Sequence, residues 1–191
     1  MKIAYFDCFA GASGDMLLGA LMDAGLALDT LKTELDKLGL THYELQRKKV
    51  IKRGIGGSQA LVIADENHHG HHHRNIARIR EIIRASTLNE TVKAKSILIF
   101  ERLAAAEANV HRTSVEKIYF HEVGAIDSII DVVGTVAGLA ALGVDQIFCS
   151  ALHLGTGTVE CAHGVLPVPA PATAELVKGF PVYATGVRGE L

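Results

Sequence analysis

No apolar run in this 191-residue sequence gets far before Gly, Asp or Lys interrupts it. None approaches the ~18 residues that a membrane-spanning helix needs. An apolar signal core is also missing, since Met-Lys-Ile-Ala-Tyr-Phe meets an acid at Asp7. That argues against secretion and for a cytoplasmic protein. Cysteine is scarce: Cys8, Cys149 and Cys161 are an odd number in no metal-type spacing, which excludes a disulfide frame and reads as reduced thiols. Neither sign of charge dominates. Nineteen Lys and Arg against 21 Asp and Glu leave a formal net charge of −2. No global field draws in nucleic acid or an anionic membrane. Internal repeats and linkers are absent too.

Hydrophobic residues make up 49% and charged residues 21%, enough apolar surface for a proper core. Lys2–Cys8 reads as a short buried strand followed by a glycine-rich turn, Phe9–Gly14. Met16, Leu17, Ala20, Leu21 and Ala24 recur at helical spacing over Asp15–Ala24, with Ser13 or Asp15 as caps and Gly25 as the stop. A second helix covers Asp29–Leu38 and closes at Gly39. Tyr43–Ile51 and Ser58–Ala64 read as strands joined by Arg53-Gly54-Ile55-Gly56-Gly57. Asp65–Arg74 is a loop. Ile76–Ile83 and Val92–Ala108 are helical by period. Val123–Leu142 is a long apolar helix whose Gly124, Gly134 and Gly138 predict close packing on a neighbour. Gln146–Ser150 reads as a buried strand, Leu152–Gly164 as a hairpin or extended loop, and Pro167–Pro171 as a rigid lead into a helix at Ala172–Lys178. The expected fold class is α/β, with strands and helices alternating around a small mixed sheet of unread strand order. One domain spans 1–191. The stop at Gly189-Glu190-Leu191, without a capping signal, predicts the N-terminal part of a longer protein.

Ten histidines are many for this length, and His68, His69, His71, His72 and His73 crowd one loop. Neutral imidazole suits nickel, copper and zinc. Five on one loop suit capture and hand-over of an ion better than one fixed geometry. The plainer alternative is a solvated loop that binds metal only because it is histidine-rich. In the segment His121–Asp131, Asp127 and Asp131 fall at i and i+4 of the predicted helix, on one face. Like charges there need a cation, a proton or a basic neighbour, and Ile126, Ile129, Ile130, Val132 and Val133 make solvation a weak answer. His121 and Glu122 add an imidazole and a third carboxylate just before the helix. The four form a candidate catalytic set, against the alternative that Asp127 merely complements the helix dipole and Asp131 has an ordinary partner.

Gly11, Ser13, Gly14 and Asp15 offer amides at a helix N-terminus, a candidate anion site for a cofactor or substrate phosphate. The stretch lacks the lysine and spacing of a P-loop, and a plain strand-to-helix turn explains it at least equally well. Asp7 and Asp15 can face a metal at a strand end. His153, Cys161 and His163 complete the metal candidates, although a buried thiol and a satisfied histidine are the commoner outcome. Cys8 reads as core.

Three stretches carry a resemblance: Phe6-Asp7-Cys8-Phe9-Ala10-Gly11-Ala12-Ser13-Gly14-Asp15-Met16; Phe120-His121-Glu122-Val123-Gly124-Ala125-Ile126-Asp127-Ser128-Ile129-Ile130-Asp131; and Pro167-Val168-Pro169-Ala170-Pro171-Ala172-Thr173. Together with the internal histidine-rich loop, and in this order along nearly the whole chain, they resemble the nickel-insertion proteins of the LarC family. The resemblance implies a CTP-dependent cyclometallase, a lyase that inserts nickel into pyridinium-3,5-bisthiocarboxylic acid mononucleotide to form the nickel-pincer cofactor of lactate racemase. It implies nickel, and CTP with Mg or Mn held mainly by a C-terminal part beyond Leu191. Its implied partners are the mononucleotide, lactate racemase and other cofactor-synthesis proteins, with a homo-oligomer left open. Forming a nickel–carbon bond at the pyridinium ring releases a proton, for which His121 and Glu122 are both candidate acceptors. Two other classes stand beside this one. The histidine loop suits a non-catalytic metallochaperone equally well, and four aspartates suit a magnesium-dependent hydrolase.

Overall fold

A computed structural model describes residues 1–64, 75–120, 126–161 and 163–191. In chain order the elements are β1 (Ile3–Phe6), α1 (Gly14–Asp23), α2 (Leu28–Asp36), β2 (Tyr43–Lys52), β3 (Ile55–Ala64), α3 (Ile76–Ala85), α4 (Glu90–His111) and α5 (Ile126–Ala141). Then follow β4 (Gln146–Cys149), β5 (Leu152–His153), β6 (Gly155–Thr156), β7 (Thr158–Cys161), β8 (Gly164–Pro167), α6 (Pro171–Leu176), β9 (Val182–Tyr183) and β10 (Gly189–Glu190). The class is α/β, with small two-stranded sheets that include parallel and antiparallel pairs. Among the described residues no helix is long and apolar enough to cross a membrane. The chain divides into two compact units: Gly14–Phe100 with Tyr119–Gly143, here the core unit, and Met1–Ser13, Glu101–Ile118 and Val144–Leu191, here the strand unit.

The core unit is built on α5, whose Ile126, Ile129, Ile130, Val133 and Ala137 are buried. Of the glycines foreseen as packing positions, Gly134 and Gly138 serve that purpose; Gly124 lies outside the described residues. A Cβ on Gly134 would meet Leu18, Leu31 and Leu35, and one on Gly138 would lie 2.8 Å from Leu26. Here α1 and α2 seat their leucines against a helix surface that offers no side chain of its own. Gly19 does the same for the hairpin, because a Cβ there would stand 2.4 Å from the Ser58 carbonyl of β3. The end of α1 is tied to the same strand. Asp23 accepts from the Ser58 amide (2.8 Å), the Ser58 hydroxyl (2.6 Å) and Arg47 Nη2 (3.0 Å). The bonds from Ser58 hold the Asp23 carboxyl below its ordinary range.

The hairpin is longer than its sequence predicts. β2 and β3 pair from Tyr43↔Ala64 to Lys52↔Ile55, and only Arg53 and Gly54 turn, both at positive φ. That matches a two-residue turn whose twist suits the flanking strands, so Ile55, Gly56 and Gly57 join the ladder and leave the expected five-residue joint. α3 starts at Asn75, whose side chain accepts from the Arg78 amide at 2.9 Å, and buries Ile76, Ile79 and Ile83.

In the strand unit β1 pairs in parallel with β4, Ile3↔Gln146 through Phe6↔Cys149. Both were expected buried, and this is corrected: Tyr5 is 65% exposed, Ile147 54% and Phe148 52%. An apolar β-branched run shows what a strand is able to bury, not whether its own chain supplies a layer to cover it. β5 pairs with β9, β6 with β10, and β7 with β8 in a short hairpin. The expected helix after the proline segment is α6, with Pro171 at its start.

Candidate functional site

The first turn of α1 and the N-terminal half of α5 bring Gly14, Asp15, Asp127 and Asp131 into one neighbourhood of the core unit. The i, i+4 spacing places Asp127 and Asp131 one turn apart, as expected. Asp127 is exposed and locally satisfied, accepting from the Ser128 amide at 2.7 Å. In the first turn of α5 it also complements the helix dipole. Asp131 differs. Its Oδ1 is buried with no hydrogen-bond partner among the described residues. Gly14 abuts it so closely that a Cβ there would overlap Asp131 Cβ, Cγ and Oδ2. Burial, with Asp127 and then Asp15 adding like charge, pushes the Asp131 carboxyl up to about 6. The positive end of α1 opposes this rise, but two negative charges and desolvation outweigh it.

Sequence reasoning missed one member of this wall. Thr135, a further turn along α5, has a buried hydroxyl that is also without a partner among the described residues. Its signal was available, since 127, 131 and 135 continue one i+4 row. A carboxylate and a hydroxyl, both desolvated and unpaired on one helix face, can accept a cation or exchange a proton. Both are costly to leave as they are.

Other candidates separate. His121 and Glu122, and the loop histidines His68, His69, His71, His72 and His73, lie outside the described residues. The four anion-site residues fall in different units: Gly11 and Ser13 in the strand unit, Gly14 and Asp15 in the core unit. The Gly11 amide donates back to the Cys8 carbonyl at 3.1 Å, closing the turn. The anionic group beside Gly14 is that of Asp131. Asp7 is exposed just past β1. Cys8 is buried, as expected for core; its thiol is pushed up by burial, then by Cys149 and Asp7. His153 is buried, and both ring nitrogens are engaged. Nδ1 accepts from the Gly155 amide at 3.2 Å, so Nε2 carries the proton toward Thr185 Oγ1 at 2.7 Å. That arrangement leaves neither nitrogen turned toward a metal. The exposed His163 ring lies 5.0 Å from that of His111, centre to centre. Among the described residues no group of three or more His, Cys, Asp or Glu stands ready to hold a metal. A groove along α3, lined by Ala77, Arg80, Glu81, Arg84 and Ala85, holds none of these candidates.

The family model described as "Nickel insertion protein" matches residues 4–191. The chain belongs to the nickel insertion protein family. Relatives named pyridinium-3,5-bisthiocarboxylic acid mononucleotide nickel insertion protein include that of Desulfitobacterium hafniense (strain DSM 10664 / DCB-2). It is 54% identical over 191 residues, covering 100% of this chain and 47% of the relative. Those of Acetivibrio thermocellus and Geobacillus kaustophilus are 49% and 47% identical over 199 and 198 residues, covering 49% and 48% of their lengths. The chain thus spans about half the length of these nickel insertion proteins. No solved structure matches it.

Proposed function

We propose that this chain is the N-terminal portion of an enzyme that inserts nickel into pyridinium-3,5-bisthiocarboxylic acid mononucleotide. CTP supports the reaction, and the product serves lactate racemase. The observation that carries the reading within this chain is Asp131, a desolvated carboxylate beside Asp15 and Asp127 whose buried Oδ1 has no hydrogen-bond partner among the described residues. Insertion moves two cations: nickel arrives as a divalent ion, and the ring gives up a proton as the nickel–carbon bond forms. A carboxyl raised to about 6 is poised to take that proton near neutral pH. Its neighbours Asp127 and Asp15 favour approach of a cation by the same charge that raises Asp131. His121, Glu122 and the histidine-rich loop remain part of the proposal as further acceptors and as a nickel reservoir. The names of the relatives support the substrate assignment.

The test is Asp131→Asn in the full-length protein, assayed with mononucleotide, CTP and excess nickel. Loss of a positioned acid–base group predicts a fall of roughly 100-fold or more in insertion. Full insertion by a folded Asp131→Asn protein would assign the carboxylate to the scaffold.

A further inference from the structure

The β1–β4 sheet of the strand unit is parallel and holds two strands among the described residues. Parallel sheets are ordinarily covered on both faces, because their crossover segments lie over them. Here the register sets Tyr5 beside Phe148 on one face and Ala4 beside Ile147 on the other. Tyr5, Phe148 and Ile147 are all exposed, so β4 shows apolar side chains on both faces. Its outer edge is open as well. The Gln146 and Ser150 amides donate to the Lys2 and Phe6 carbonyls. Alternation then turns the backbone N–H and C=O of Ile147 and Cys149 away from β1, to an edge on which no described strand pairs. Such an edge is a template for a further strand.

We propose that the part of the full-length protein beyond Leu191 docks on this sheet, adding a strand along the open edge of β4 and covering Tyr5 and Phe148. This rests on the reading of the chain as an N-terminal portion. Length supports the occupant. The match covers 47% of the Desulfitobacterium hafniense relative, so a protein of that length has more than half of itself available to lie over a face. Place supports it too. Leu191 packs on Gly11 so closely that a Cβ on Gly11 would overlap it. Gly11 lies in the turn between β1 and α1, so the segment that follows Leu191 starts near the sheet. A second copy fits less well. Two copies paired edge to edge would close the edge and leave both faces of each sheet open. A longer chain covers edge and face together, which answers both exposures at once.

The test uses the full-length protein without mononucleotide, CTP or nickel. Amide hydrogen exchange reads the edge. Ile147 and Cys149 should exchange at least about 100-fold more slowly than unprotected amides. A photo-crosslinking p-benzoylphenylalanine at position 148 reads the face, with position 5 as the second placement if the first variant does not fold. Cross-links should map to peptides beyond Leu191 of the same molecule. Rapid exchange at Ile147 and Cys149 overturns the proposal. So do cross-links confined to residues 1–191, cross-linked dimers, or no cross-link from either position. A gene product that ends at Leu191 would sink both this proposal and the reading of the chain as a portion. The other outcomes sink the docking alone, because none of them depends on insertion activity or on Asp131.

Discussion

The two units differ in the buried polar groups they leave without partners. The strand unit is thinly packed. Tyr5, Phe9, Ile147, Phe148, Val165 and Phe180 are each at least half exposed, yet its buried His153 has a partner on both ring nitrogens. The core unit is tightly packed and supplies all the largest fully buried side chains, from Leu18 and Phe100 to Ile129 and Val133. Within it, Asp131 and Thr135 keep buried oxygens with no partner among the described residues. A fold selected for stability alone does the reverse, satisfying polar groups where packing is dense and desolvation is costly. The difference assigns His153 to structure; of the core unit's unpartnered oxygens, on Ser96, Asp131 and Thr135, that of Asp131 is the one on an ionisable group and the costliest to leave so.

The sharpest test of the packing half compares two large apolar residues. Ile130 is fully buried on α5, and Phe148 on β4 is 52% exposed. Ile130→Ala should cost about 2–5 kcal/mol, through lost burial and a residual cavity. Phe148→Ala should stay within roughly 0.5 kcal/mol. Urea denaturation of both variants measures it. A large loss at Phe148 would mean that this strand is covered in solution.

This contrast also marks the limit of the sequence. Helical periods located α1, α3, α4 and α5, and the glycines of α5 revealed their packing, because both signals are local. The spacing of Asp127 and Asp131 was readable for the same reason, and Thr135 was within reach of the same rule. The exposure of β1 and β4 was not readable, since burial depends on which layer the chain brings over a strand. Nor was the pairing of His111 with His163, which joins a helix end to a hairpin turn far along the chain. Arg53-Gly54 was hidden by the glycines after it, which blurred where the turn stops.

A middle-sized effect tests the polar half. Thr185→Val removes the hydroxyl that meets His153 Nε2 and changes little in volume. The nitrogen keeps its proton because the Gly155 amide occupies Nδ1, so a buried N–H is stranded at a cost of about 1–3 kcal/mol. Thermal melting should show a drop of several degrees. No drop would mean that His153 finds another acceptor and that the strand unit is less committed than its geometry implies.

The smallest expected change is the one that bears most on function, and it has the opposite sign. Asp131 has a folded-state carboxyl near 6 against an ordinary 3.8, raised first by burial and then by Asp127 and Asp15. The native state therefore holds a proton that the unfolded chain releases between those values. Stability from this group is fully present below pH 3.8 and is lost as pH rises through about 6. At pH 7.5 the metal-free protein carries an ionised, crowded carboxylate; Asp131→Asn keeps the shape and drops the charge. Solvent screening at a partly exposed site reduces the gain to about 1 kcal/mol, or roughly 2–4 °C in Tm for a chain of this size. Near pH 3.5, where wild-type Asp131 is itself neutral, the two melting curves should coincide. Parallel curves across the whole range would remove the titration from the account. A lower Tm for Asp131→Asn at pH 7.5 would instead show that the charge has a basic partner, because removing one member of a buried pair strands the other.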